Sequence, residues 1–152
     1  MKPLVEIPVS IIPWIGKTAK FMDYYIGDHM KEHGIDISKE QFLLLKYLNE
    51  KDGRIQNELA FITNRSKTSL TRLINTMEKK ELVYRAVSHH DMRINHVYLT
   101  ELGKEIWKKS YPVFQSIILE LQEGIPDSDL LLVRKTMEHI QFNINKKTNI
   151  NQ

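Results

Sequence analysis

The chain has 152 residues, 41% of them hydrophobic and 27% charged, which suits one soluble domain or a core domain with an oligomerising extension. No run of 18 apolar residues occurs, and there is no cysteine. These facts exclude a transmembrane helix, disulfides, thiolate zinc sites and cysteine redox sensing. The apolar start is broken by three prolines and Glu6 and lacks a signal-peptide core, so a cytoplasmic location is expected.

The positive charge is concentrated in the central third of the chain. Residues 54–109 carry eleven Lys or Arg against six Asp or Glu, whereas residues 1–53 and 110–152 are each net −1. This distribution is typical of a nucleic-acid-binding core between segments with another role. Chance clustering of a few charges is the alternative.

The first predicted helix follows a short arm and runs from a cap at Ser10 to about His33, where Gly34 ends it. Its apolar surface is larger than a short partner can cover, which predicts packing on another chain. His29 and His33 form an H-x-x-E-H pattern. The pattern lies at a helix end without a clear third ligand, so neither a metal nor another cofactor is expected.

The third and fourth predicted helices form a helix-turn-helix, preceded by a second helix. Ser38 and Gln41 form a capping box for the second helix, which ends at Gly53. A short third helix covers residues 55–62, and a three-residue turn leads to Ser66, the predicted cap of the fourth helix.

The fourth helix, residues 66–80, is the predicted recognition helix. Its apolar stripe contains Leu70, Leu73, Ile74 and Met77, at helical spacing. The remaining faces carry hydroxyls, amides and long cations, which suit phosphates and base edges. The predicted DNA-binding residues are Ser66, Thr68, Ser69, Thr71 and Arg72 for bases and phosphates, with Lys67, Asn75 and Lys79 mainly for phosphates. An ordinary surface helix with a solvated face is the alternative.

A two-stranded hairpin is predicted after this helix, over residues 82–88 and 94–99. Arg93 at its tip suits a narrow minor groove, and Asp91 would orient it. The alternative is that Asp91 and Arg93 only stabilise the turn of the hairpin. A metal site of His89, His90, Asp91 and His96 is not favoured, because an exposed tip converges ligands poorly.

Two further helices complete the predicted mainly α fold. Thr100 caps the fifth, Pro112 is expected to kink it, and Pro126 starts the sixth. The apolar stripe of the sixth helix and that of the first predict a two-fold dimer, with an intramolecular helix pair as the alternative. The predicted segments are residues 1–37 (arm and dimerisation helix), 38–103 (winged helix-turn-helix) and 104–152 (dimerisation helices).

The central residues resemble the MarR family of bacterial transcriptional regulators. The resemblance covers residues 38–103 and rests on Gln41-Phe42, Glu58-Leu59-Ala60, Thr71-Arg72, Glu78-Lys79-Lys80, Leu82-Val83-Tyr84-Arg85, Asp91-Met92-Arg93 and Leu99-Thr100-Glu101-Leu102-Gly103. Two positions depart from the pattern. Glu81 stands where the family has glycine, and His89-His90 replace a proline-containing loop.

The resemblance implies a homodimer on double-stranded DNA with a pseudo-palindromic operator. The fourth helices would enter major grooves, and Arg93 the flanking minor groove. It also implies a repressor released by a small phenolic or anionic ligand, with Tyr24, Tyr25, His33 and Trp107 as candidate lining residues. The alternative is that these four residues are ordinary core or surface side chains without a ligand-binding role.

The sequence leaves one main alternative to DNA-binding regulation. A winged helix used as a protein-interaction module, without specific DNA binding, is the main alternative. An enzyme is not expected, because the sequence shows no nucleophile–base pair and no phosphate loop.

Overall fold

The computed structural model describes residues 9–148 and confirms a mainly α fold with a small antiparallel sheet. Most of the predicted N-terminal arm lies outside this range. The six helices described are α1 (Ile12–Glu32), α2 (Lys39–Glu50), α3 (Gln56–Ile62), α4 (Lys67–Lys79), α5 (Glu101–Leu121) and α6 (Asp127–Thr148). The strands are β1 (Arg54–Ile55), β2 (Val83–Val87) and β3 (Asn95–Leu99). The chain divides into two compact units, which meet in sequence at Ile117 and Ile118.

The sheet has the order β1-β3-β2, and both pairings are antiparallel. β2 and β3 form the predicted hairpin, with Val83 opposite Leu99 and Val87 opposite Asn95. β1 adds a third strand that the sequence did not predict. It pairs only two residues with β3, too few to show the alternation by which strands are recognised.

The core of the first unit lies between the helix-turn-helix and the sheet. Leu70, Ile74 and Met77 of α4 are fully buried, as the helical spacing predicted, whereas Leu73 is half-buried. They share the core with apolar residues of α2, α3 and β3, including Leu44, Leu45, Leu48, Leu59 and Val97. Burying one face of α4 leaves its opposite face at the surface.

Side-chain caps fix where three helices begin. Ser38 and Gln41 form the predicted capping box of α2. The Ser66 Oγ accepts a hydrogen bond from the Ser69 N–H (3.1 Å), and the Thr100 Oγ1 accepts one from the Gly103 N–H (2.9 Å). The predicted Ser10 cap is wrong. Ile11 is the N-cap of α1 without a side-chain bond, and proline in the first turn starts that helix instead.

The turn from α4 into β2 keeps the left-handed backbone that glycine favours, although a glutamate occupies it. Glu81 has φ of +59°. The Leu82 N–H donates to the Met77 carbonyl (3.0 Å), which closes the helix end. The Thr100 hydroxyl donates to the Glu81 carbonyl (2.5 Å), and the Thr100 N–H donates to the Leu82 carbonyl (3.1 Å). These bonds tie the turn to the start of α5.

The close packing at this turn also requires glycine at position 103. A Cβ there would lie 2.1 Å from the Leu82 carbonyl oxygen, far inside van der Waals contact. Gly103 therefore lets α5 approach the α4–β2 turn.

The second unit contains α6, which exposes much of its apolar surface. Leu131, Leu132, Val133 and Phe142 are exposed, whereas Leu130, Met137 and Ile140 of the predicted stripe are half-buried. Helix α5, which begins in the first unit, contains Pro112 and runs from Glu101 to Leu121 as one element.

Replacing Glu81 by glycine is expected to stabilise the protein. The substitution removes the steric cost of a positive φ and should raise the free energy of unfolding by about 0.5–1 kcal/mol. Urea unfolding at one protein concentration measures the change. In Glu105→Gly, a matched change in the exposed face of α5, the free energy should fall by about 1 kcal/mol. If Glu81→Gly lowered the free energy of unfolding as Glu105→Gly does, the steric strain assigned to Glu81 would be contradicted.

Candidate nucleic-acid interface

The exposed face of α4 carries most of the residues that the sequence predicted for DNA. Ser66, Lys67, Thr68, Arg72, Asn75 and Lys79 are exposed, and Ser69 and Thr71 are half-buried. Because the apolar stripe faces the core, these polar side chains necessarily lie on the solvent side. The structure thus brings the predicted set together on one helix.

Four of these residues are free of internal side-chain bonds. Within residues 9–148, the side chains of Lys67, Thr68, Arg72 and Lys79 form no hydrogen bond or ion pair. An unpaired guanidinium and ammonium keep their full bonding capacity for an external acceptor. Lys67, Arg72 and Lys79 are therefore the cations of α4 available to an anionic partner.

Two hydroxyls of α4 are already engaged. Thr71 donates its hydroxyl hydrogen to the Lys67 carbonyl (2.8 Å) and accepts from the Gln56 amide (2.9 Å). The Ser69 Oγ accepts from Arg65 Nη1 (2.9 Å). Any base contact from Thr71 is left to its remaining lone pair or its methyl group, since a hydroxyl has one hydrogen.

Asn75 belongs to a network that the sequence analysis missed. Arg85 Nη2 donates to the Asn75 Oδ1 (2.6 Å), and the same guanidinium binds both carboxylate oxygens of Glu78 at 3.1 and 2.6 Å. The network links α4 to β2. It occupies the Asn75 Oδ1, so the Asn75 NH₂ group remains available as a hydrogen-bond donor. The residues are 10 positions apart in sequence, so no local pattern joins them.

A shallow groove of about 570 Å³ lies on one side of α4. It contains two arginines, Arg65 and Arg72, and one carboxylate, Glu40, among several hydroxyls. Its lining is Ser38, Glu40, Arg65, Ser66, Thr68, Ser69, Arg72, Leu73 and Thr76. Arg65 was predicted only as part of the turn, although a cation directly before the N-cap of α4 lies beside the predicted DNA-binding residues.

A second groove, which we call the wing groove, separates α4 from the hairpin. It measures about 280 Å³ and is lined by Ile55, Gln56, Asn57, Lys67, Thr71, Arg93, Ile94 and Asn95. Lys67 comes from α4 and Arg93 from the hairpin tip. The structure therefore places the predicted wing arginine beside α4.

The wing tip is organised by Asp91. Its Oδ1 accepts from the backbone N–H of Arg93 (2.9 Å) and from Arg93 Nε (3.2 Å). These bonds hold the pKa of Asp91 below its ordinary value, the backbone bond being the larger cause and the guanidinium the second. The Arg93 side chain is 91% exposed, so Asp91 orients it without burying it.

The four candidate ligand-lining residues occupy different surroundings. Tyr24 is exposed on α1 and His33 at its C-cap, and Tyr25 packs against His29 with tilted rings whose centroids lie 4.0 Å apart. Trp107 of α5 stacks on Phe42 and packs at a tilt against Tyr111, each with centroids 5.1 Å apart. Neither groove beside α4 includes any of the four.

Three of the histidines considered as metal ligands lie within hydrogen-bond distance of backbone carbonyls. The Nδ1 atoms of His29 and His33 lie 3.1 and 2.8 Å from carbonyl oxygens one turn earlier, and that of His96 lies 2.9 Å from the Gly53 carbonyl. Among the described residues, no three His, Asp or Glu side chains converge as metal ligands would. No helix of that range is both long and apolar enough to cross a bilayer.

Comparisons with known proteins agree with this geometry. A sequence profile of the MarR family matches residues 37–94. The HTH-type transcriptional regulator YxaD of Bacillus subtilis is 30% identical over 101 residues, which cover 66% of this chain and 70% of YxaD. The chain belongs to the MarR family. Its curated relatives are transcriptional regulators and not enzymes, as the sequence predicted.

The sequence similarity covers part of the relatives' length, whereas the structural similarity covers nearly the whole fold. The regulator YybA of Bacillus subtilis is 26% identical over 98 residues, 64% of each chain. In a solved complex of S. aureus MepR with DNA, the MepR chain superposes with a TM-score of 0.80 at 20% identity. That superposition covers 89% of this chain and 98% of MepR. The fold of this MarR-family chain is therefore that of a solved winged-helix regulator.

The bonds at the wing tip predict a pH response. Because the folded pKa of Asp91 is lowered, its bonds to Arg93 persist above the ordinary pKa and are lost as the pH falls through the lowered value. In Arg93→Ala the pKa should rise towards the ordinary value but stay below it, since the backbone bond remains. Carboxyl NMR titration measures both values. An unchanged pKa in the variant would contradict the guanidinium contact.

Proposed function

We propose that the chain acts as a homodimeric, sequence-specific DNA-binding regulator, most simply a repressor, in the bacterial cytoplasm. One observation carries the proposal. The exposed face of α4 holds unpaired Arg72, Lys79 and Thr68, and a wing arginine lies beside the same helix. Free cations on a helix backed by a packed core suit insertion into a DNA groove.

Each element has a distinct part in this proposal. Helix α4 enters a major groove, where Arg72 bonds a guanine and Thr68 and Ser69 meet bases or phosphates. Lys67, Asn75 and Lys79 neutralise or bond phosphates, and Ser66 lies at the helix start. Arg93, oriented by Asp91, enters the flanking minor groove. MepR, whose solved complex contains DNA, supports this use of the fold.

Exposed apolar side chains support the dimer. Along α1, Ile12, Trp14, Phe21 and Tyr24 are exposed, and α6 exposes Leu131, Leu132 and Phe142. Contiguous apolar surface on long helices is costly in water and is characteristic of subunit interfaces. Two copies would present two recognition helices to the half-sites of a pseudo-palindrome.

A small phenolic or anionic effector is proposed to release the DNA. Its candidate contacts remain Tyr24, Tyr25, His33 and Trp107, which lie on the helices α1 and α5. Aromatic rings and a histidine suit a planar, acidic ligand. Ligand screening against the DNA complex tests this part separately.

Arg72→Ala is expected to weaken binding to a selected operator by about 1–3 kcal/mol and to relax preference at one base pair. Fluorescence anisotropy at fixed salt measures the affinity for duplexes selected from a random library. Lys79→Ala should weaken all duplexes alike and reduce the salt slope by about 1.

Lys46→Ala, on the exposed side of α2 outside both grooves, is the control and should leave affinity unchanged. Equal affinity of Arg72→Ala and the parent would reject the base contact. Absence of salt-dependent binding by the parent would instead favour a protein-interaction module, because phosphate contacts require a salt slope.

The dimer is expected to depend on the exposed apolar residues of α1 and α6. In sedimentation equilibrium the parent should have twice the 17.9 kDa mass of one chain. Phe21→Asp and Leu132→Asp should shift it towards the monomer, because each places a charge in an apolar contact. Phe61→Asp is the control, since Phe61 is even more exposed than Phe21 and Leu132 but lies on α3. A monomeric parent would refute the dimer.

A further inference from the structure

We infer that the wing groove holds one sugar-phosphate strand and that Asn57 and Asn95, which the sequence analysis did not single out, donate hydrogen bonds to it. The inference rests on the proposed function, because it assumes that α4 and the wing both meet DNA. It adds two binding residues and assigns them the backbone of the duplex instead of its bases.

The groove has the charge that a phosphate strand requires. Lys67 and Arg93 enter it from two different elements, and no carboxylate is among its lining residues. The nearby Asp91 is bonded to the backbone and side chain of Arg93. Phosphates in such a groove would meet two cations and no uncompensated anion.

The shape of duplex DNA places a backbone in this position. A major groove and the adjacent minor groove are separated by one sugar-phosphate strand. The wing groove likewise separates α4 from the wing tip, since Lys67 and Thr71 form one wall and Arg93 to Asn95 the other. If α4 lies in the major groove and Arg93 in the minor groove, the strand between them passes through the wing groove.

Asn57 and Asn95 are equipped to contact that strand. Both line the groove, and within residues 9–148 neither amide side chain forms a hydrogen bond. A side-chain NH₂ has two donors, and amide donors are common partners of phosphate oxygens. Such contacts fix the register of a protein on DNA but carry no sequence information.

Gln56 forms the floor between these residues. Its Nε2 donates to Thr71, and its Oε1 is buried without a hydrogen-bond partner among the described residues. This amide orientation matches the bonds of Thr71, whose hydroxyl donates to the Lys67 carbonyl. A buried unpaired acceptor is costly and calls for a reason. Here Gln56 is a positioning residue that holds the first turns of α4 against the groove.

The test uses variants of near-equal shape that introduce a negative charge. Asn57→Asp and Asn95→Asp replace an NH₂ donor by a carboxylate oxygen facing phosphate. Each is expected to weaken binding at least about fivefold, through loss of the donor and repulsion of the phosphate. The loss should be the same for selected and random duplexes, because backbone contacts carry no sequence information. Fluorescence anisotropy over a salt series measures it.

Asn49→Asp, an equal charge change on the exposed end of α2 outside both grooves, is the matched control. Asn57→Ala and Asn95→Ala provide milder variants, and circular dichroism confirms that each protein is folded. A single neutral methylphosphonate, moved along the duplex, locates the phosphate concerned. At that position the parent should lose affinity, and the Asn57→Asp, Asn95→Asp double variant should lose less.

The possible results separate the two proposals. A parent that binds with a salt slope, with variants weakened in all sequences, supports the inference. A parent that binds while both aspartate variants behave as Asn49→Asp overturns the inference and leaves the proposed function standing. A parent without salt-dependent binding to any duplex overturns the proposed function itself.

Discussion

The contact between the α4–β2 turn and the start of α5 is the constraint on which the interface depends. Two consecutive carbonyls, of Glu81 and Leu82, accept hydrogen bonds from the hydroxyl and N–H of Thr100. Gly103 leaves the room for this approach. Because α4 leads directly into β2 at this turn, the bonds set the angle between α4 and the hairpin. The distance between the exposed face of α4 and the hairpin tip follows from that angle.

The polar face of α4 is divided between held and free side chains. Gln56 fixes Thr71, Arg65 binds Ser69, and Arg85 binds Asn75. These bonds join α4 to α3, to the preceding turn and to β2, and they reduce the entropy that ordering on DNA would cost. Arg72, Lys79 and Thr68 remain unpaired. The division separates residues that place the helix from residues that can bind.

The sequence sufficed where the signal was local. Helical spacing identified the buried stripe of α4, the residues flanking Ser38, Ser66 and Thr100 identified the caps, and alternating strand formers identified the hairpin. The departure at Glu81 was also visible, and the structure places it at positive φ. These features depend on neighbours within one or two turns, so the order of residues is enough to predict them.

The parts that escaped prediction depend on distant residues. β1 is too short to form a pattern, and its pairing with β3 joins residues about 40 positions apart. The bonds of Gln56 to Thr71 and of Arg85 to Asn75 likewise join separate elements. Arg65, Asn57 and Asn95 became candidates only when folding placed them in grooves beside α4. The prediction that Ser10 caps α1 was wrong, because proline in the first turn can start a helix without a side-chain cap.

The central claim is that α4 and the wing tip occupy neighbouring grooves of one duplex. The chain has no cysteine, so Thr68→Cys and Met92→Cys each introduce a single exposed thiol, on α4 and on the wing tip. An iron chelate coupled to that thiol cleaves DNA within its reach. The account predicts cleavage inside each half-site from position 68 and cleavage in the flanking minor groove, about half a helical turn outward, from position 92. Cleavage of the same nucleotides from both positions, or none from position 68 on bound DNA, would contradict it.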